Sequence, residues 1–218
     1  MKSKVITAEA AVKLIKNGNT VSVAGFVGLS NPEEILQEVE RQFAETGRPN
    51  QLTLVHAAGQ GDGKDKSLNH FGREGLLKRV IGGHYNLAPK LGKLIVENKV
   101  EAYNFPQGVM MHLFRNIAAG KPGLFTHVGL KTFVDPRIEG GKLNEVTRED
   151  MVELIQLAGK EQLFYKAYPV HVAIIRGTTA DENGNISMEK EGVLVEAVNL
   201  AQAAKNSDGI VIVQVERL

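Results

Sequence analysis

Val21-Ser22-Val23-Ala24 runs straight into Gly25-Phe26-Val27-Gly28-Leu29-Ser30-Asn31-Pro32, and Glu33-Glu34-Ile35-Leu36 follows. The first four residues read as a buried strand. The last four read as the opening of a helix: Asn31 is predicted as its N-cap and Pro32 as its first helical residue. Glu33 and Glu34 place negative charge where a helix dipole favours it, and Ile35, Leu36 and Val39 make an apolar face. A strand handed to a helix across a glycine-bearing turn is the repeating unit of a parallel α/β sheet.

The same rhythm extends in both directions. Upstream, Thr7 caps a short helix with Ala11, Leu14 and Ile15 on one face and Gly18 as its stop. Downstream, Leu52-Thr53-Leu54-Val55 is a strand that ends in the loop Gly59-Gln60-Gly61-Asp62-Gly63. Helical stretches are predicted near Glu74–Val80 and Leu91–Asn98, with a short strand at 101–105 between the second and the next helix. Pro106-Gln107-Gly108 opens that helix, which carries Val109, Leu113, Phe114 and Ile117. Residues 132–168 break the alternation. There, Val152–Leu157 and Gln162–Tyr165 flank Ala158-Gly159-Lys160 as a hairpin, read as a flap on the sheet. A strand at 170–175, an Asn183-Gly184 hairpin turn, an amphipathic helix at 193–204 and a last strand at 210–215 complete the chain. The predicted fold is three-layer α/β: a mostly parallel sheet flanked by helices, with a β-hairpin flap, as one domain over 1–218.

Composition excludes several classes. The chain has 218 residues, 43% hydrophobic and 23% charged, which is ordinary for a globular domain. Its 26 basic and 25 acidic side chains leave a formal charge of +1, which offers no electrostatic footprint for nucleic acid or an anionic membrane. There is no cysteine, hence no disulfide, thiolate zinc site or thiol nucleophile; a reducing cytoplasm is compatible with that. The segment Met1–Thr7 meets Glu9 before any long apolar run, so no signal peptide is expected, and no stretch reaches the roughly 20 apolar residues of a membrane span. The 23 glycines suggest many tight turns and close backbone approaches.

Two segments carry candidate chemistry. In Ala24–Pro32, two glycines let amide N–H groups point outward near a helix N-terminus, a geometry suited to an anion or a developing oxyanion. The segment lacks the third glycine of a dinucleotide fingerprint and the Gly-Lys-Ser/Thr of a P-loop, and a turn that needs glycine for steric reasons alone explains it as well. Gln107, at a helix start, is either a neutral donor to a carboxylate or simply a cap. The six histidines (His56, His70, His84, His112, His127 and His171) show no metal-ligand spacing, so core or surface roles are expected and no metal site is predicted. No Gly-x-Ser-x-Gly elbow is present.

From Asn17-Gly18 through Gly25-Phe26 to Pro32, the sequence resembles the N-terminal signature of class I coenzyme A-transferases. Ser22, Ala24 and Ser30 depart from the strict pattern in the manner of the acetate/propionate-type, short-chain acyl branch. Further blocks resemble that branch in order: 56–63, 75–79, Gly83-His84, 101–104, Pro106-Gln107-Gly108, 121–123, 128–137, 140–144, Phe164-Tyr165, 176–178 and Val213-Gln214-Val215.

The resemblance implies the N-terminal, alpha-type half of an enzyme with two similar α/β halves. Such an enzyme transfers CoA between a short-chain acyl-CoA and a carboxylate through glutamyl-CoA, with the nucleophilic glutamate on the other half. No catalytic nucleophile is then expected in this chain. Carried over by position, Ala24, Gly25, Phe26, Val27 and Gly28 would supply oxyanion donors and acyl-pocket walls. Gln107 and Gly108 would approach the glutamate or the carboxylate substrate, and Gln60, His84, Asn104, Gly129 and Thr132 would line the pocket. Glu182-Asn183-Gly184 imitates the nucleophile motif of two-subunit members, but Asp181 stands in place of its serine. The implied partner is the beta-type half, on the same chain or as a separate subunit, within a cytoplasmic homo-oligomer. No cofactor is implied beyond the CoA thioester as substrate. That branch carries both halves on one chain, so a cut piece is expected. A hydrolase of the same superfamily and a non-catalytic phosphosugar-binding α/β domain are the alternatives.

Overall fold

A computed structural model describes residues 4–218; the signal-peptide reading of the N-terminus falls partly on Met1–Ser3, outside the described residues. The main sheet contains β1 (Thr20–Val23), β2 (Leu52–His56), β3 (Leu77–Gly82) and β4 (Glu101–Asn104), all parallel and adjacent in that order. On the other side of β1 lie β8 (Val172–Ala180) and then β10 (Ile210–Arg217), also parallel. The two-residue β9 (Ile186–Ser187) folds back antiparallel on β8. The Asn183-Gly184 turn joins them, as the sequence predicts.

Both faces of this sheet are covered, which is why its strands read as continuous apolar runs rather than alternating ones. One face packs Val21, Val23, Leu54, Val80 and Ile174 against α1 (Ala8–Val12), α2 (Glu33–Thr46) and α3 (Pro89–Val96). The other packs Val55, Ile81, Tyr103, Ala173 and Ile175 against α4 (Gln107–Ala118), α5 (Ala197–Asn206) and an antiparallel sheet. That second sheet has strand order β5 (Gly123–Thr126), β7 (Lys160–Lys166), β6 (Val152–Leu157). The predicted hairpin is β6–β7; its third strand comes from ahead of residue 132, and Phe125 stacks on Phe164 across the pair, ring centroids 4.6 Å apart.

Three local expectations are corrected. The helix predicted near Glu74–Val80 is strand β3. Leu77, Val80 and Ile81 have helical spacing, but neighbours on both sides, β2 and β4, supply parallel ladders that override it. Helix α5 begins at Ala197, not 193, because Ser30 Oγ bonds Val193 O at 2.9 Å and holds the preceding residues as loop. Asn31 does not cap α2. The cap position is Pro32, and Glu34 N and Ile35 N both donate to Oε1 of Gln214 on β10, at 2.9 and 3.3 Å. Thr7 does cap α1, accepting from Ala10 N at 3.2 Å.

Candidate active site

The strand order places β1 at the point where the chain reverses direction along the sheet: β2, β3 and β4 run away to one side, β8 and β10 to the other. In open parallel sheets the crevice beyond the carboxyl ends of the strands at such a point is where ligands bind. The turn after β1 sits there, and so does the β8–α5 connection: Ser30 bonds Val193, and Gly192 lies against Leu29.

The turn is a tight two-residue reversal. Phe26 N donates to Leu29 O at 3.1 Å and Leu29 N to Phe26 O at 2.8 Å. Val27 has φ +54° and Ser30 φ +52°, left-handed conformations that are unfavourable for a β-branched residue and uncommon for serine. Surrounding bonds hold them: Val27 N donates to Gly59 O and Gly61 N to Val27 O, each at 2.8 Å. The result is an exposed apolar tip of Phe26, Val27 and Leu29, each 39–46% accessible, over a buried base of Ala24 and Gly25.

Of the five turn residues singled out by the sequence, three have their N–H groups engaged: Ala24 with Ile174 O, Phe26 with Leu29 O and Val27 with Gly59 O. Among the described residues, Gly25 and Gly28 are left with N–H groups that meet no backbone or side-chain acceptor. Glycine at 25 leaves room for two side-chain amides. A β-carbon there would lie 2.8 Å from Gln60 Oε1 and closer still to Asn31 Oδ1. These two oxygens face it because both amides spend their N–H groups on the backbone, Gln60 Nε2 on Val23 O (3.0 Å) and Asn31 Nδ2 on Val27 O (2.9 Å). Both oxygens are buried without a partner.

The contacts continue from strand to strand. Gly59 packs on the exposed His84, whose Nδ1 would lie 2.5 Å from a β-carbon at Gly59. Gly83 in turn packs on Gln107. At the end of β4, Asn104 Nδ2 donates to Gly82 O at 2.9 Å. Thus Ala24–Gly28, Gln60, His84, Asn104, Gln107 and Gly108 share the carboxyl edge of the sheet. Gly129 and Thr132 stand apart, in the loop after β5: Gly129 lies against the Tyr165 hydroxyl, and Thr132 Oγ1 bonds Gly129 O at 2.7 Å. Gln107 is exposed at the start of α4 and does not cap it through its side chain.

This edge is rich in neutral amides. Asn31, Gln60, Asn104 and Gln107 line it, and of the four only Gln107 has a side chain with no bond among the described residues. Two of its deeper titratable neighbours, His56 and Tyr85, are neutral. His56, at the end of β2, is fully buried; Nδ1 meets Ala58 O at 2.8 Å and Nε2 presses on Gly82 Cα. Burial lowers its pKa to about 4. Tyr85, edge-on to His56, donates to Tyr103 O at 2.5 Å, and burial holds its pKa above the phenol range. Glu196, at the start of α5, is 2% accessible, with Oε1 unpartnered; burial raises its pKa to about 7. Such an edge can orient a carbonyl or carboxylate and stabilise developing negative charge. Among the described residues, no group of three or more His, Asp or Glu side chains could hold a metal ion. Sequence reasoning missed Asn31 as a wall of the turn, and also Glu196 and Gln214. In the sequence Asn31 reads only as a helix cap, Gln214 falls in a block that carries no role, and Glu196 leaves no signal.

The chain is an α/β protein with an amide-lined turn at the switch point of a mostly parallel sheet. The coenzyme A transferase family model matches residues 5–218, and the chain belongs to that family. It is similar to the caffeate CoA-transferase of Acetobacterium woodii, 50% identical over 98% of this chain and 41% of that protein. It is also similar to the acyl-CoA transferase YdiF of Escherichia coli O157:H7, whose crystal structure superposes with a TM-score of 0.96 at 37% identity, covering 99% of this chain and 42% of that one. The alpha subunit of the Clostridium acetobutylicum acetoacetyl-CoA:acetate/butyrate CoA transferase is 27% identical over 94% of this chain and 90% of that subunit. The chain therefore spans about two fifths of the length of the first two relatives. Among the described residues no helix is long and apolar enough to cross a membrane.

Proposed function

We propose that this chain is the alpha-type half of a transferase that moves CoA between a short-chain acyl-CoA and a carboxylate of the acetate, propionate, butyrate or acetoacetate kind. The observation that carries the reading is the share of each relative the chain spans: 41% of the caffeate enzyme but 90% of an alpha subunit. One E. coli YdiF structure is a thioester complex with CoA, which supports a covalent route in that relative.

The chemistry needs a nucleophile that this amide-lined edge lacks. A glutamate of the other half attacks the acyl thioester carbonyl, and CoA leaves as thiolate. The thiolate then attacks the glutamyl carbonyl, expelling the first carboxylate and leaving glutamyl-CoA. A second carboxylate reverses both steps and departs with CoA. Splitting one difficult exchange in this way is the ordinary benefit of covalent catalysis. Each step passes through an oxyanion, which pre-aimed donors stabilise.

In this reading Gly25 and Gly28 offer the free amides at the turn, Ala24 supports its base, and Phe26 and Val27 wall the acyl group. The Gln107 side chain donates to the glutamate or the incoming carboxylate. Gln60, His84, Asn104 and Gly108 shape the pocket floor, while Gly129, against the Tyr165 hydroxyl, and Thr132, bonded to Gly129 O, lie away from it in the loop after β5. CoA is substrate here, not resident cofactor, and its nucleotide is held mainly by the other half. Glu182 lies in the exposed β8–β9 turn beside Asp181 and is not the nucleophile. By itself the chain turns nothing over. The whole enzyme works as a cytoplasmic oligomer.

A phosphosugar site at the turn fits less well, since Glu34 N and Ile35 N already bond Gln214 and two carboxylates crowd the first turn of α2. Hydrolase and transferase are separated by product. The chain plus its second half, given acyl-CoA and labelled acetate, is expected to form labelled acetyl-CoA without net loss of thioester. Thioester loss without label in CoA ester would favour the hydrolase; no reaction at all would count against both.

A further inference from the structure

We propose that Gln214 is a positioning residue for the transfer reaction, holding the start of α2 and thereby the left-handed turn at Val27–Ser30. The proposal rests on the reading of the turn given above, but its physical basis is separate. Helix α2 cannot cap itself. Its cap residue is Pro32, which has no side-chain acceptor, and the Asn31 amide is committed to Val27 O and the Gly25 side of the turn. The Glu33 carboxylate is also committed elsewhere, accepting from Ser67 N at 2.8 Å and facing His70 Nε2 at 2.9 Å. Glu33 N and Leu36 N find the carbonyls of Asn31 and Pro32. That leaves Glu34 N and Ile35 N, and both go to one oxygen of Gln214, 180 and 179 residues away on β10.

The consequence reaches the turn because the turn is strained and short. Val27 and Ser30 keep φ near +50° only while their surroundings over-determine them. The anchors on the upstream side are β1, Gly59 and Gly61. On the downstream side Ser30 Oγ bonds Val193 O and Asn31 Nδ2 bonds Val27 O, and the chain then passes through Pro32 into the first turn of α2, whose Glu34 and Ile35 N–H groups Gln214 fixes. Loosening it frees the turn to leave its left-handed geometry, carrying the Gly28 amide and the Val27 side chain with it. A group that acts only by aiming donors at a developing oxyanion affects kcat more than KM.

The test uses the chain together with its second half, comparing wild type with Gln214→Ala and Gln214→Glu. The glutamate variant keeps the accepting oxygen and adds a charge that suits a helix N-terminus. Gln214→Ala is expected to lower kcat about 5- to 30-fold, the scale of a lost cap, with KM changed less than about twofold. Gln214→Glu is expected to recover to within about threefold of wild type. Amide hydrogen exchange supplies a readout independent of activity: Gln214→Ala should speed exchange in peptides covering Gly25–Leu36 while those from β2 to β4 keep wild-type protection. Wild type without transfer activity would sink the functional reading, and the exchange result would still decide the positioning claim. Unchanged exchange at the turn, a fall in kcat that Glu does not recover, or protection lost evenly across the chain would overturn it.

Discussion

The side-chain oxygen of Gln60 lies 2.8 Å from where a β-carbon on Gly25 would sit, while its nitrogen ties back to Val23 O at 3.0 Å. A residue of the loop after β2 thus braces the end of β1 and fills the space beside residue 25. Gly25→Ala must displace Gln60 and Asn31 together, and the latter holds Val27. A stability loss of about 1–3 kcal/mol is expected, the usual cost of overpacking a tight site. Urea unfolding at constant m value reads it; a change below about 0.5 kcal/mol would mean that the two amides swing away freely.

His56 and Glu196 give opposite pH dependences over overlapping ranges. The folded pKa of His56 is about 4 against 6.5 unfolded. Its contribution is complete above pH 6.5 and is lost as pH falls toward 4, because the unfolded chain takes up a proton that the folded chain refuses. The folded pKa of Glu196 is about 7 against 4.5 unfolded. Its contribution is complete below pH 4.5 and is lost as pH rises through 7. At 1.36 kcal/mol per unit each spans up to about 3 kcal/mol, and in the wild type they largely offset one another between pH 4.5 and 6.5.

The two substitutions therefore separate the profiles. Glu196→Gln should remove the alkaline loss, so that stability rises from pH 4.5 to 7. His56→Gln should remove the acid loss, so that stability falls over the same range. Denaturant midpoints measured at several pH values for both variants check this. Parallel profiles for wild type and Glu196→Gln would show that the carboxyl reaches water when it ionises.

Gln107 supplies an activity prediction. It is exposed at the start of α4, caps nothing, and packs only its stem on Gly83. Gln107→Ala in the assembled enzyme should lower turnover about 100- to 1,000-fold, in the range of one lost transition-state donor, with little effect on stability. Rate constants and thermal midpoints compared side by side decide it; an unchanged rate would remove Gln107 from the site.

Local patterns legible in the sequence were those in which one segment carries its own signal. The β1 turn, the β6–β7 hairpin, the Asn183-Gly184 turn and the apolar face of α4 are of that kind. What stayed hidden was supplied from far along the chain. Leu77–Val80 reads as helix until β2 and β4 are set beside it. Asn31 reads as a cap until Gln214 arrives from β10 to take that role. Glu196 sits in an unremarkable amphipathic run, and only the packing of α5 shows that its carboxyl is buried with Oε1 unpartnered. The resemblance points to the turn after β1 but not to which of its amides are free; the hydrogen bonds leave Gly25 and Gly28, not Ala24, Phe26 or Val27.

The central claim is that this half shapes the site and the other half holds the nucleophile. Mixing the chain with its second half, adding acyl-CoA and trapping the thioester with borohydride before peptide mapping tests it most directly. The account predicts one modified glutamate, on the second half, with every peptide of this chain unmodified. Reduction at Glu182, or at any other carboxylate of this chain, would contradict it.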